Sequence, residues 1–219
     1  MTTRRMALTC RAASGQLYMR TVSEIVPLSG GRYLITLEDG ISFPLYRREL
    51  DAYGVETDRE LSEADYCEIM QELLPKRARL KAMHLLEAMD RTESQLRRKL
   101  EELRYPEEIV TDALDYVKGF HYIDDLRYAV RYLEFRREGR SMRQLMTELY
   151  QKGIPRELIE QAAAQVEPPD EEQQVRALLL KKHYDAATAD RKETERMYRF
   201  LARRGYSPSV IREALALMS

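Results

Sequence analysis

Apolar positions along this chain change their period once. Between residues 17 and 46 they fall at strand spacing: Val22, Ile25 and Val26 precede Ser29-Gly30-Gly31, and Tyr33-Leu34-Ile35-Thr36-Leu37 follow it. Asp39-Gly40 marks a second tight turn, since glycine readily supplies positive φ, and Ile41-Ser42-Phe43 resumes the alternation. The pattern predicts a three-stranded meander. Three short strands bury too little alone, so the meander is expected to pack on a neighbouring helix. Residues 47–53 read as a short helix ended by Gly54. Residues 63–74 read as another, offered a cap by Ser62 and interrupted by Pro75.

From residue 75 onward the spacing is helical and the text repeats. Ser94-Gln95-Leu96-Arg97-Arg98-Lys99-Leu100 corresponds to Arg143-Gln144-Leu145-Met146-Thr147-Glu148-Leu149 and to Glu195-Arg196-Met197-Tyr198-Arg199-Phe200-Leu201. Each is followed by a stop and a further helix: Arg104-Tyr105-Pro106, Gly153-Ile154-Pro155 and Gly205-Tyr206-Ser207-Pro208. Arg104, Gly153 and Gly205 are equivalent, so the period is 49 and then 52 residues. A recurrence of that length marks a repeat architecture.

The apolar pair four residues apart in each copy places two anchors on one helix face. Gly153 and Gly205 suit a left-handed helix stop, with Ile154 or Tyr206 as the apolar contact just beyond; Arg104 departs from that pattern and predicts a less sharp stop. Pro106 and Pro155 are expected early in the next helix. A third helix precedes each pair, over about 76–89, 124–137 and 171–184, and Pro168-Pro169 separates the second copy from the third. The expected fold is therefore mainly α: three tandem three-helix repeats (a helical solenoid) over residues 75–122, 123–167 and 168–219. A small β meander with short helices precedes them over 17–74, and residues 1–16 are expected to form a flexible tail.

Composition narrows the function. The 219 residues include only 9 glycines and no tryptophan, which argues against turn-rich β sandwiches and Gly-rich phosphate loops. Cys10 and Cys67 form no CxxC and no Cys/His cluster, which argues against a structural zinc site or a disulfide framework and fits a reducing cytosol. The longest aliphatic run, Ala177 to Leu180, is far too short to span a bilayer, so no membrane association is expected. Residues 1–23 carry Arg4, Arg5, Arg11 and Arg20 without an acid but lack the apolar core of a signal sequence, and no targeting segment is assigned.

Net charge is −1, unevenly spread: residues 1–74 hold 8 basic and 12 acidic side chains, residues 75–219 hold 28 and 25. Two stretches concentrate the cations, 127–143 and 191–204. Arg136, Arg137, Arg140 and Arg143 straddle Gly139 and converge on one repeat corner, where they are the foremost candidates for contact with an anionic partner. Arg203 and Arg204 offer a second foothold, and Lys152 joins the candidate set. His121 with Asp124 and Asp125 has the look of a metal site, yet a carboxylate starting a helix is better read as its cap. No nucleophile, phosphate-loop or ligand cluster is visible, so neither catalysis nor a cofactor is expected. Among the tyrosines, Tyr105, Tyr116, Tyr122, Tyr128 and Tyr132 cluster in sequence, and Tyr128 beside Ala129 reads as core.

The segment Phe120-His121-Tyr122-Ile123-Asp124-Asp125-Leu126-Arg127-Tyr128-Ala129 resembles a signature of the RecX family. Its continuation is similar in Arg136, Gly139, Leu145, Leu149 and Lys152-Gly153-Ile154, and again in Leu201-Ala202-Arg203-Arg204-Gly205-Tyr206-Ser207. The resemblance covers about residues 76–217. It implies a bacterial cytoplasmic regulator of the RecA recombinase, acting in DNA repair, homologous recombination and the SOS response, with no enzymatic activity. Such a protein is expected to be a monomer that binds the RecA–single-stranded-DNA filament and modulates, most often inhibits, ATP hydrolysis and strand exchange, meeting single-stranded DNA directly or through the filament, since some family members bind DNA directly. Two other classes suit the same residues: a helix-turn-helix DNA binder acting without recombinase, and a helical scaffold for another protein.

Overall fold

The computed structural model describes residues 19–217, so the expected tail at 1–16 and the reading placed on Cys10 lie outside the described residues. The chain is mainly helical and divides into two compact units, Met1–Arg91 with Gln95–Ile123, and Thr92–Ser94 with Asp124–Ser219.

In the first unit β1 (Arg20–Leu28), β2 (Arg32–Leu37) and β3 (Ser42–Tyr46) form the expected antiparallel meander. Gly30 and Gly31, with φ of 74° and 71°, make the first turn; two consecutive positive values match the right-handed twist of the flanking strands. A fourth strand escaped the sequence pattern: β4 (Glu60–Leu61) pairs with Arg20 and Thr21, giving the order β3-β2-β1-β4. Two residues are too few to show a period. α1 (Arg47–Tyr53) ends on Gly54 in the left-handed region, and α2 (Glu63–Glu68) is capped by Ser62, whose Oγ accepts from the Asp65 N–H.

The expected interruption at Pro75 does not occur. The helix passes through a π-helical turn, Ile69–Leu73, straight into α3 (Leu74–Ala88). In regular α geometry the Pro75 ring would press on the carbonyl of Gln71, and one wider turn makes room for it. α4 (Glu93–Glu102) and α5 (Glu107–Gly119) follow. One apolar core runs from Val22, Ile35, Phe43 and Leu45 of the sheet through Leu74, Ala78 and Ala82 to Leu96, Leu100, Ile109 and Leu114. The sheet thus finds the helical partner that its size requires.

The second unit holds α6 (Asp125–Arg136), α7 (Met142–Gln151), α8 (Arg156–Gln165), α9 (Glu171–Lys181), α10 (Arg191–Ala202) and α11 (Pro208–Leu217). Ala129, Leu133, Leu145, Leu149 and Ile159 form one core, and Val175, Leu179, Met197, Leu201 and Ile211 a second. Side-chain oxygens of Asp124, Ser141, Asp170 and Asp190 each accept a backbone N–H three residues on, so four of these helices begin with the same cap. Pro106 and Pro155 stand one residue before α5 and α8, at the N-cap, while Pro208 is the first residue of α11. The third helix of the expected set stops at Lys181 because His183, φ 55°, turns the chain left-handed.

Candidate functional site

Helix stops position the candidate cations. Gly153 N–H bonds to the Tyr150 carbonyl and Ile154 N–H to that of Leu149, which ties off the end of α7. Arg104, His121 and His183 make the equivalent pair of bonds at positive φ of 67°, 57° and 55°. The departure at Arg104 therefore changes the strain of that stop and leaves its shape intact, since an L side chain carries a steric cost in this region.

Gly153 and Gly205 have a second reason to be glycine. A Cβ at Gly205 would lie 2.5 Å from Ser141 Oγ and 3.2 Å from the Gln144 nitrogen; a Cβ at Gly153 would overlap Ser94. Ser141 is fully buried, and its Oγ donates to the Arg204 carbonyl at 2.7 Å. Thr92, also fully buried, makes the same bond to the Lys152 carbonyl at 2.7 Å. Thr92 and Ser141 are 49 residues apart, and Lys152 and Arg204 are 52 apart, the two intervals of the repeat. These hydroxyls were missed in the sequence, although both stand four residues before the aligned anchors Leu96 and Leu145.

The acidic pair at the start of α6 is structural, as the capping reading expects. Asp124 Oδ1 accepts the Arg127 N–H at 2.9 Å, and Asp125 Oδ1 accepts the Glu93 N–H at 2.9 Å. No group of three His, Cys, Asp or Glu side chains arranged to hold a metal occurs among the described residues. The tyrosines do not form one cluster. Tyr105 is buried and Tyr116 lies against Phe120 in the first unit, whereas Tyr128 and Tyr132 stack at 6.2 Å beside the Ala129 core of the second.

The candidate cations separate into two groups. Arg140 Nη1 binds Glu148 Oε2 at 2.8 Å, and the same carboxylate accepts Tyr132 OH at 2.6 Å and Gln144 Nε2 at 2.9 Å. Burial works to raise the Glu148 pKa, but the bonds from Tyr132 and Gln144 and the charges of Arg140 and Lys152 outweigh it and hold the carboxyl below its ordinary value. Lys152 sits over the Tyr132 ring at 5.3 Å. Arg204 donates to the Gly139 carbonyl at 3.1 Å and covers the Phe200 ring at 4.6 Å. Gly139, φ 67°, makes the turn that presents this carbonyl. Arg140, Lys152 and Arg204 are thus engaged by the chain's own groups.

Arg136, Arg137, Arg143 and Arg203 are exposed, and their side chains meet no carboxylate among the described residues. Arg143 and Arg203 line one groove of 440 Å³ with Gln144, Thr147, Gln151 and Tyr206, and Glu148, held by Arg140, forms part of the same wall. Arg143 on α7 and Arg203 at the end of α10, one residue from each expected foothold, border the same groove, whereas Arg136, Arg137, Arg140 and Arg204 do not line it. Tyr206 is buried, and burial with the nearby Glu171 pushes its hydroxyl up to about 12, so it remains a neutral wall.

The chain is a helical repeat assembled from three-helix units, with Arg143 and Arg203 beside Glu148 in one groove. Family models described as the first, second and third three-helix domains of RecX match residues 78–116, 124–162 and 170–215. The chain belongs to the RecX family. "Regulatory protein RecX" of Trichlorobacter lovleyi is 33% identical over 144 residues, covering 64% of this chain and 94% of that one. The protein of the same name from Clostridium botulinum strain Alaska E43 is 27% identical over 137 residues, 61% of this chain. The match spans 65% of that relative, just under two thirds of its length. A solved structure described as "regulatory protein RecX" superposes with a TM-score of 0.59 at 28% identity, over 87% of this chain and 96% of the other. RecX from Lactobacillus salivarius, at 18% identity and a TM-score of 0.57, shares the fold.

Proposed function

We propose that this chain regulates a RecA recombinase by binding the RecA–single-stranded-DNA filament and restraining its ATP hydrolysis and strand exchange, as a cytoplasmic monomer without enzymatic activity of its own. The observation that carries this reading is the groove in which Arg143 and Arg203 meet, both without a carboxylate partner, in a chain of the RecX family. Such a filament presents acidic protein surface and phosphates, and unpaired arginines can make charge-assisted, bidentate bonds to them without first breaking an internal ion pair. Arg136 and Arg137 at the end of α6 extend the same kind of surface. The relatives named regulatory protein support the regulatory half of this reading.

The test is DNA-dependent ATP hydrolysis by RecA with increasing amounts of the protein, wild type against Arg137→Glu/Arg143→Glu. Reversing Arg140 would instead place a second carboxylate against Glu148 and disturb the fold, so it is left intact. Inhibition by the wild type and about tenfold weaker inhibition by the double variant are expected, with an unchanged melting temperature. Equal inhibition by both proteins would remove these arginines from the contact. No effect of the wild type would remove the filament as partner.

A further inference from the structure

The first unit carries a covalent bond that the filament reading leaves unused. Cys67 on α2 is disulfide-bonded, and no free thiol occurs among the described residues. The only other cysteine of the chain is Cys10, in the segment before β1. A bridge between cysteines 57 positions apart leaves no local motif, which is why their spacing alone argues against one. The start of β1 lies close to Cys67: Arg20 Nε is 3.5 Å from Glu63 Oε2, and its guanidinium covers the Tyr66 ring at 4.1 Å. Ten residues separate Cys10 from Arg20 and span up to about 33 Å, ample for the chain to return to α2.

Beyond Cys67 the same helical stretch borders an apolar groove. Pro75, Leu80, Met83 and Tyr116 line 360 Å³ of open space, and Met83 also lines an adjoining groove of 250 Å³ with Leu86 and Tyr122. Leu80 and Tyr122 are exposed. Gln71, at the near end of the groove, follows Cys67 by four residues, on the same side of the helix and about 6 Å further along. Of the charges lining the two grooves, Arg79 is held by Asp112, whereas Glu72, Glu87 and Lys76 form no ion pair among the described residues.

We propose that a Cys10–Cys67 disulfide fastens the N-terminal segment to α2 and seats Met6 and Leu8 in this groove, so that oxidation covers the groove and reduction opens it. Residues 1–9 reach up to about 30 Å from the bridge, and the helix rises about 18 Å between Gln71 and Met83, so the segment is long enough to follow the groove. Met6, Ala7 and Leu8 suit the apolar wall, and Arg4 and Arg5, with no acid in the segment, suit the carboxylates of Glu72 and Glu87. Oxidised glutathione supplies the oxidant. The Cys67 thiolate attacks one of its sulfurs and releases one reduced glutathione; the Cys10 thiolate then attacks the Cys67 sulfur and releases the second. The two thiol protons and two electrons pass to the departing glutathiones. In a reducing cytosol a bond of this kind is transient and reports an oxidising challenge. The inference uses neither the recombinase nor the arginine groove, so it and the proposed function can fail separately.

The experiment treats the full chain with oxidised or with reduced glutathione. After denaturation the oxidised chain is expected to take up no maleimide, and the reduced chain to take it up at both cysteines. Trypsin should release Met6–Arg11 joined to Glu60–Lys76 from the oxidised chain alone. Carbene footprinting then reads the groove: Met83 and Tyr116 should lose most of their labelling on oxidation and regain it on reduction. Met6→Ser/Leu8→Ser, which keeps both cysteines, should restore that labelling in the oxidised chain. Maleimide uptake at both cysteines after oxidation, or a covalent dimer joined through Cys67 on a non-reducing gel, would overturn the bridge. Equal labelling in the two states, or protection that persists in the Met6/Leu8 variant, would overturn the groove as the seat of the segment.

Discussion

The arginines of the first unit that reach across the fold are spent there, whereas those of the second unit divide between spent and unspent. In the first, Arg77 reaches Glu49 at 2.6 Å and also donates to the Pro44 carbonyl, and Arg32 donates to the Leu103 carbonyl at 2.8 Å. Arg79 forks onto Asp112 with bonds of 2.7 and 2.6 Å between α3 and α5. These guanidinium groups join strands to helical segments or, at Arg79, helix to helix, and spend their donors inside the fold. In the second unit Arg143 and Arg203 border open grooves with their donors unspent. Arginine therefore joins elements of the fold in the first unit, while in the second Arg140 and Arg204 do the same and Arg143 and Arg203 do not. What decides the role is whether a carboxylate or carbonyl stands within reach, which abundance along the chain does not reveal.

Arg77→Ala should test the structural half most severely. It removes a half-buried ion pair and leaves the Pro44 carbonyl short of a donor, at a cost of about 3 kcal/mol. Arg143→Ala should change stability by less than about 0.5 kcal/mol. Urea denaturation of both variants measures the contrast; similar losses would mean that Arg143 also has a structural partner.

The helix stops sharpen the comparison at a smaller scale. Gly153→Ala should cost about 2–4 kcal/mol, because the left-handed conformation and the overlap with Ser94 add together. Arg104→Gly, at the equivalent stop of the first unit, should instead stabilise by about 0.5–1 kcal/mol by relieving positive φ. Opposite shifts in melting temperature are expected. A loss at both positions would show that the Arg104 side chain contributes more than its backbone strain costs.

The smallest difference lies in two buried tyrosines. Burial raises both hydroxyls, but Arg77 beside Tyr105 works to lower its value, whereas Glu171 beside Tyr206 raises it further, to about 12. A tyrosine whose folded pKa lies above its unfolded value adds stability that is whole below the unfolded value, near 10, and is lost as pH rises toward 12. The second unit should weaken over that window, and Tyr206→Phe should flatten the loss. An unchanged alkaline limb of the stability profile in that variant would assign the loss to other groups.

Repeats were legible because each three-helix unit writes its own signature: anchors four apart, a stop, and a proline at the start of the next helix or one residue before it. Leu96/Leu100, Leu145/Leu149 and Met197/Leu201 are all buried or nearly so, and the meander turns fall on the glycines that the pattern marks. Asp124 was legible as a cap for the same reason, since capping acts over three residues. These are local effects, and their residue types and spacing suffice.

The partners that lie far apart in the chain were not legible. Pro75 reads as a helix end, and only the packing of Leu74, Ala78 and Ala82 into the sheet core makes a widened turn preferable to a break. Arg140 and Arg143 look alike in the sequence, yet Glu148 and Tyr132 hold one while the other faces a groove. Gly205 is a helix stop by its local pattern; the approach of Ser141, 64 residues earlier, is a second demand that only the folded chain imposes. Sequence determined where helices begin, end and turn their apolar faces, because those choices depend on neighbours within a turn or two. Tertiary structure decided which charges are spent and which remain free, because that depends on groups brought within about 3 Å by packing.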